Sequence, residues 1–332
     1  MKMNPLGTLL LTRRDVSRLF TIQDCINAVE TVFRLHGEGK TQPPGILGVH
    51  ASSGGFHIKA GLLNLTRPYF AAKINANFPQ NTKRFGMPLI QGVVVLCDSE
   101  NGYPLALMDS IEITVLRTGA ATAIAAKYLA RTDSQSILIC GCGNQGAVSL
   151  RAISSLFSLK RAFAYDIDHA HAEQFAKAFT DELRFEVKAV STVAEGLNEA
   201  DICVTCTPSK EFFVRRESVR PGTFLAAVGA DSEDKQELEP ALLSEKVLVD
   251  ILEQCATIGE LHHALDRKVV TRDRVYGELG EVVAGTKPGR ASAEEIIIFD
   301  STGMALQDVV SAAAVYEKAI STGTGTFMNL SA

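Results

Sequence analysis

The apolar positions of this chain change period twice, and those changes mark out its elements. In residues 21–33, apolar side chains stand at 22, 25, 26, 29, 32 and 33. This is the i, i+3, i+4, i+7 spacing of a buried helix face, with Thr21 and Asp24 suited to the N-cap and first turn. The first forty residues as a whole read as helical. From Gln42 to about Ser110 the pattern shortens into β-like runs at 45–50, 56–60, 69–75, 90–97 and 105–108. Ser52-Ser53-Gly54-Gly55, Thr66-Arg67-Pro68, Asn77-Phe78-Pro79 and Asp98-Ser99-Glu100-Asn101-Gly102 separate them, which predicts an antiparallel meander. An Ala-rich helix follows over 120–130, with Arg117 and Thr118-Gly119 at or near its start.

From Ser136 onward the rhythm is different. Strand candidates at 136–140, 161–165, 185–190, 201–206, 224–229, 246–250 and 294–299 alternate with helical stretches. That alternation predicts an α/β fold with a doubly wound parallel sheet, set beside an α+β domain of antiparallel strands. The last helix, 305–320, comes after the final strand and is expected to return to the first domain. Domain boundaries are therefore expected at 1–118 with 305–332, and at 119–304. Residues 321–326 read as a turn-like, mobile tail.

Composition narrows the class. The chain has 332 residues, 46% hydrophobic and 21% charged, with a formal net charge of −5. No basic block is present, which argues against nucleic acid as a partner. No run approaches the ~20 apolar residues of a membrane span. Met1-Lys2-Met3-Asn4-Pro5 lacks a leader core, so the cytoplasm is the expected compartment. The seven cysteines sit mostly in apolar, strand-like runs, as buried reduced thiols do. Cys203-x-x-Cys206 lies inside such a run without a second pair at zinc-site spacing, so no metal is expected.

One stretch carries chemistry on its face. Residues 136–140 run straight into Gly141-Cys142-Gly143-Asn144-Gln145-Gly146, and a helix-like segment follows. In such a Rossmann turn Gly141 allows the tight turn, Gly143 lets backbone approach a pyrophosphate, and Gly146 lets helix pack on strand. The helix N-terminus, with Asn144 and Gln145 in the turn, offers N–H groups to phosphate. The next strand ends in Asp166, about twenty residues past the last glycine, where a carboxylate binds the adenosine ribose. That carboxylate repels a 2′-phosphate, and Ile167-Asp168-His169 provides no arginine to receive one. NAD is the expected cofactor, with NADP possible.

With the β-rich half first and the dinucleotide half second, several strings resemble the ornithine cyclodeaminase/μ-crystallin family. They are Ala71-Ala72-Lys73-Ile74-Asn75, residues 104–110, Leu116-Arg117-Thr118-Gly119-Ala120-Ala121, Gly141–Gly146, Val228-Gly229-Ala230-Asp231 and Phe299-Asp300-Ser301-Thr302-Gly303. The resemblance implies a homodimeric NAD(P)-dependent enzyme acting on a small amino or imino acid, with the first domain binding substrate and forming the dimer. The implied reaction is hydride transfer at the Cα–N centre, by a cyclic ketimine reductase such as a Δ1-pyrroline-2-carboxylate reductase or by an amino-acid dehydrogenase. Two alternatives stand beside it: an ornithine cyclodeaminase that forms proline and ammonia while recycling NAD, and a non-catalytic μ-crystallin-like ligand-binding protein.

The resemblance also assigns roles. Arg117 matches the arginine that holds the substrate carboxylate, although alone it reads as an ordinary helix arginine in a surface pair. Lys73, a lysine inside an apolar strand, needs a partner or a role and matches the family's active-site lysine. Asp231 follows an apolar strand and matches the acid–base group at the substrate nitrogen; alone it reads as an N-cap for the next element, with Ser232 competing. Ser301 and Gly303 match the loop near the nicotinamide. Thr207 and Pro208 are placed to contact the cofactor, and Thr118 to cap a helix or touch a phosphate. Where cyclodeaminases carry Glu-x-Met, this chain has His57 and Lys59. These share one strand face, and Lys59 can supply positive charge near the carboxylate. Loss of the glutamate weakens cyclisation of a diamine. Glu278, Glu281 and Arg290 read as structural.

Overall fold

The computed structural model describes residues 7–330, so the reading of residues 1–5 as lacking a leader core lies outside the described residues. In chain order the elements are β1 (Thr8–Leu11), α1 (Arg13–Leu19), α2 (Ile22–Gly37), β2 (Gly45–Ala51), β3 (Gly54–Asn64), β4 (Pro68–Asn77), α3 (Asn81–Phe85), β5 (Ile90–Asp98), β6 (Pro104–Asp109) and α4 (Ile111–Leu129). Then come β7 (Ser136–Cys140), α5 (Asn144–Ser154), β8 (Arg161–Tyr165), α6 (His169–Leu183), β9 (Glu186–Ala189), α7 (Val193–Leu197), β10 (Ile202–Thr205), β11 (Phe224–Ala227) and β12 (Lys246–Val249). The chain continues through α8 (Leu252–Ile258), α9 (Glu260–Asp266), β13 (Gly277–Glu278), α10 (Leu279–Val283), β14 (Ile297–Asp300), α11 (Ala305–Thr322) and β15 (Thr326–Met328).

Two compact units result. The first takes the described chain up to Val32, Gly39–Arg117 and everything from Met304; the second takes Phe33–Glu38 and Thr118–Gly303. The first is built on a seven-stranded sheet, β15-β1-β6-β5-β4-β3-β2. Strands β2 to β6 form the antiparallel meander that the turn signals predict. On β4 the residues alternate: Tyr69, Ala71 and Lys73 are buried, while Ile74 is exposed. Helix α11 covers the first face, where a Cβ on Gly61 would lie 2.8 Å from Leu306. The opposite face stays open. Leu47, Val49, Phe56, Ile74, Val93 and Leu107 there are 37–56% exposed, and cross-strand pairing lines up Leu47, Ile58, Ile74 and Val93. A contiguous apolar patch of this kind marks an association surface.

The second unit holds eight strands in the order β13-β12-β14-β11-β10-β7-β8-β9, and every pairing is parallel. The order reverses about β7, which has β8 on one side and β10 on the other. This is the topological switch point at which open α/β sheets bind ligands. The strands are near-continuous apolar runs because helices cover both faces of such a sheet; β7 is buried throughout.

Several elements depart from the pattern. The first forty residues are not all helix: Thr8–Leu11 forms β1, and Thr12 with Asp15 makes the capping box that opens α1. A four-residue strand is too short to show a period of two. Strand β1 also runs parallel to β6, so the sheet is not purely antiparallel. The tail is not a loop. Gly323, at φ 67°, ends α11, and Thr326–Met328 then pairs antiparallel with β1. Helix α4 starts at Ile111, not near Arg117: Asp109 Oδ1 accepts the N–H groups of Ile111 and Glu112. The β-branched run Ile111-Glu112-Ile113-Thr114-Val115 hides that start, since such residues favour strands. Thr118 therefore lies about two turns inside α4 and not at its N-terminus. The last strand of the parallel sheet falls at 297–300, later than expected.

Within α2 the pattern held. Cys25, Ile26, Val29, Val32 and Phe33 are each at most 2% exposed, and burying such a side chain contributes about 1.5–3 kcal/mol. Thr21 and Asp24 exchange the hydrogen bonds of a cap.

Candidate active site

In the second unit each of the three glycines has its own physical reason. Gly141 has φ +102°, and a Cβ there would lie 3.0 Å from the Cys206 carbonyl oxygen and from Cγ2 of Thr207. At Gly146 an added Cβ would come within 2.1 Å of the Gly141 carbonyl oxygen, so only glycine lets α5 sit this close. At Gly143 the same Cβ would meet nothing within 4 Å. Gly143 is thus the glycine that packing does not explain; it faces open space at the mouth of the turn. No side chain caps α5 at Gly143, and exposed Asn144 and half-buried Gln145 form its first turn. Asp166, one residue past β8, accepts the Cys142 N–H at 2.9 Å and that of Asp168 at 3.1 Å. Its carboxylate is fixed against the glycine turn. Ile167, next to it, is 96% exposed.

Three further loops leave the C-terminal ends of β10, β11 and β14, and buried carboxylates hold them. Glu237 accepts from the Thr207 N–H at 2.6 Å and the Thr207 hydroxyl at 2.8 Å. It also accepts from the Thr205 hydroxyl at 2.7 Å and the Gly229 N–H at 3.0 Å. Burial pushes its pKa above the usual carboxylate value against the pull of these donors. Asp250, which follows β12, accepts from the Ser301 hydroxyl at 2.9 Å and the Gly303 N–H at 2.6 Å. Gly303 itself has φ 81°, a conformation glycine adopts without strain. Burial also raises Asp300 to about 7. Pro208 is exposed beside Thr207. Asp231 is exposed, with its carboxylate 2.5 Å from Lys235 Nζ.

In the first unit, cations gather round one acid. Lys73 is 3% and Arg117 8% exposed. Lys73 Nζ donates to Asp308 at 2.8 Å, and Arg117 Nε lies 3.5 Å from the same carboxylate. Arg117 Nη1 also donates to Gln307 Oε1 at 3.2 Å. Burial lowers Lys73 to about 7; Asp308 opposes that shift, while Arg117 and Lys59 add to it. Lys59 stands directly across the ladder from Lys73, and His57 directly across from Asn75. His57 is exposed and Lys59 half-buried.

The structure thus brings Lys73, Arg117 and Lys59 together, and separately the glycine turn, Asp166 and Thr207. Glu278 and Glu281 form a capping box on α10, and Arg290 binds backbone carbonyls of Leu129 and Glu295. Sequence reasoning missed Asp308, Gln307, Asp250 and Glu237. Asp308 and Gln307 were detectable as polar residues inside the apolar run of α11, since buried acids need partners. Asp250 ends an apolar strand just as Asp231 does. Glu237, in Lys235-Gln236-Glu237-Leu238-Glu239, is indistinguishable from a surface acid.

Comparison with known proteins adds a lineage. The model of the ornithine cyclodeaminase/mu-crystallin family matches residues 7–323. An alanine dehydrogenase of Archaeoglobus fulgidus is 39% identical over 321 residues, covering 96% of this chain and 97% of that protein. An archaeal alanine dehydrogenase dimer solved with bound NAD superposes with a TM-score of 0.92 at 38% identity, over 97% of this chain and 99% of that one. Δ1-pyrroline-2-carboxylate reductase of Thermococcus litoralis, solved with NADH and L-proline, gives 0.91 at 33% identity, over 97% and 100%.

Proposed function

The chain belongs to the ornithine cyclodeaminase/mu-crystallin family, and from that premise we propose that it is an NAD-dependent oxidoreductase of a small amino or imino acid. It acts at the Cα–N centre, as a ketimine reductase or an amino-acid dehydrogenase. The observation that carries this reading is the convergence of Lys73 and Arg117 on a single carboxylate, that of Asp308. Two cations arranged to share one carboxylate suit a second, that of the substrate, and fixing it orients the neighbouring α-carbon.

The residues of the glycine turn fit NAD. Gly143 leaves the space that a pyrophosphate needs, the uncapped first turn of α5 offers N–H groups, and Asp166 presents a carboxylate for the ribose. When bound, NAD supplies or accepts the hydride. The chain's own groups do the rest. Lys73 and Arg117, with Lys59 beside them, bind and orient the carboxylate. Asp231 moves the proton at the substrate nitrogen, a contribution of typically 10²–10⁴-fold. Thr207, Pro208, Ser301 and Gly303 contact the cofactor or the reacting end of the substrate.

The first unit is the substrate and dimerisation unit in this reading, and the second binds the dinucleotide. The open apolar sheet face supports a homodimer. No helix of the described residues is long and apolar enough to cross a membrane. All seven cysteines are free, which suits a reducing compartment such as the cytoplasm.

The test is a substrate screen with the purified protein. Loss of NADH absorbance with Δ1-pyrroline-2-carboxylate, or with pyruvate and ammonia, is the expected result. Proline and ammonia from ornithine at catalytic NAD, without net NADH, would instead assign a cyclodeaminase. Cofactor binding without turnover of any imino or amino acid would leave a ligand-binding protein.

A further inference from the structure

We propose that Glu237 is a positioning residue for this reaction: its carboxylate ties the cofactor loop after β10 to the loop after β11 that carries Asp231. The inference rests on the functional reading above. Its geometry lies wholly within the second unit. One oxygen of Glu237 takes the N–H and hydroxyl of Thr207, and the other takes the Gly229 N–H and the Thr205 hydroxyl. All four acceptor positions of the carboxylate are used, and two of the donors are backbone groups on different loops. Gly229 lies two residues before Asp231. A Cβ on Gly229 would approach Glu237 Oε2 within 2.6 Å and the Thr207 carbonyl oxygen within 2.5 Å, so glycine is required for the two loops to meet across this acid.

The clamp is itself held in place. Glu260 accepts the N–H of Glu237 at 2.7 Å and that of Leu238 at 3.1 Å. Asp300 in turn accepts the Leu261 N–H at 2.9 Å. Glu237, Glu260 and Asp300 are all fully buried. A fully buried carboxylate is costly unless its acceptors are filled; here filling them fixes two loops at the edge of the sheet where cofactor and acid–base group belong. A purely stabilising role needs no such link between loops.

Glu237→Gln separates the possibilities. The carboxamide keeps the volume and one acceptor oxygen, but its NH₂ cannot accept the Gly229 N–H. Three measurements on the full-length protein decide. Hydrogen exchange over residues 207–209 and 229–231 is expected to speed up in both loops together. The Kd for NADH is expected to rise about tenfold, and kcat at saturating cofactor to fall about 100-fold, the cost of misplacing a reacting group by about 1 Å. Ser136→Ala is the control. It removes buried hydrogen bonds to the Glu199 carbonyl and the Asp201 carboxylate at the N-terminal end of β7, at the opposite end of the sheet from both loops, so it lowers Tm but leaves kcat and KM within about twofold. Unchanged exchange in Glu237→Gln, or equal kinetic losses in Ser136→Ala, overturns the proposal. If Glu237→Gln does not fold, Glu237→Asp, which keeps the charge and draws the acceptors back, is read the same way. Wild-type protein that turns over no imino or amino acid defeats the functional reading, and the exchange data then decide on the clamp alone.

Discussion

Asp308, on the last long helix, holds the Nζ of Lys73 at 2.8 Å although 235 positions separate them in sequence. Both side chains are buried, and Arg117 shares the same acid. Replacing Asp308 by Asn leaves two buried cations without their counter-ion. Breaking a buried pair in this way costs about 3–5 kcal/mol, so denaturant unfolding should show a loss of that order. Substrate KM should rise as well, while the Kd for NADH stays near the wild-type value. An equal loss of NADH affinity would mean that Asp308 acts on the whole fold and not on the carboxylate site.

Lys73 gives the activity a pH dependence. Burial lowers it to about 7, so the cation proposed to bind the substrate carboxylate is lost as pH rises through that value. The free-enzyme profile of kcat/KM should fall about tenfold per unit above it. Lys73→Arg stays charged throughout and should lose this limb even if its activity is lower. Stability runs the other way. Between about 7 and 10.5 the unfolded lysine binds a proton that the folded one does not. This group's contribution to stability therefore rises with pH across that window, by about 1.4 kcal/mol per unit. Lys73→Met should remove this contribution, so the difference in unfolding free energy between wild type and variant should change along that slope between about pH 7 and 10.

Gly143 and Gly146 should fail differently. Gly146→Ala drives a Cβ to 2.1 Å from a backbone oxygen, and the variant should be strongly destabilised or insoluble. Gly143→Ala has open space and an ordinary extended backbone at φ −84°. It should keep the wild-type Tm while its KM for NADH rises at least about tenfold, since the methyl takes the room a pyrophosphate needs. Equal NADH binding by Gly143→Ala and wild type would remove the turn from the cofactor site.

Asp166→Asn keeps the shape that receives the Cys142 N–H but removes the charge proposed to meet the ribose. The preference for NADH over NADPH should shrink about tenfold, equivalent to about 1.4 kcal/mol. Steady-state kinetics with the two cofactors measures it; an unchanged ratio would place discrimination elsewhere.

The parallel sheet was legible because fully buried strands are continuous apolar runs and the glycine turn has a fixed spacing. Lys73 could be singled out because a lysine inside an apolar strand demands an explanation. The start of α4 was not legible: its first turn is β-branched, and the capping Asp109 sits at the end of a strand. Nor was Glu237, whose neighbours in sequence are polar and whose partners come from loops distant in the chain. Strands β1 and β15 are too short to carry a period and are defined by pairing with distant parts of the chain, β1 with β6 and β15 with β1. Local pattern reports which face is buried; it does not report which distant residue meets it.

That last pairing bears on how the protein is made. Thr8 faces Met328 across the first sheet, so the sheet begun by the first described strand is completed only when residue 328 leaves the ribosome. The second unit has all its strands by Asp300. The usual order, in which the earlier part of a chain folds first during synthesis, is therefore reversed at this sheet. The early strands, with Lys73 still without its acid, must wait until the segments carrying Asp308 and Thr326–Met328 have been made and released.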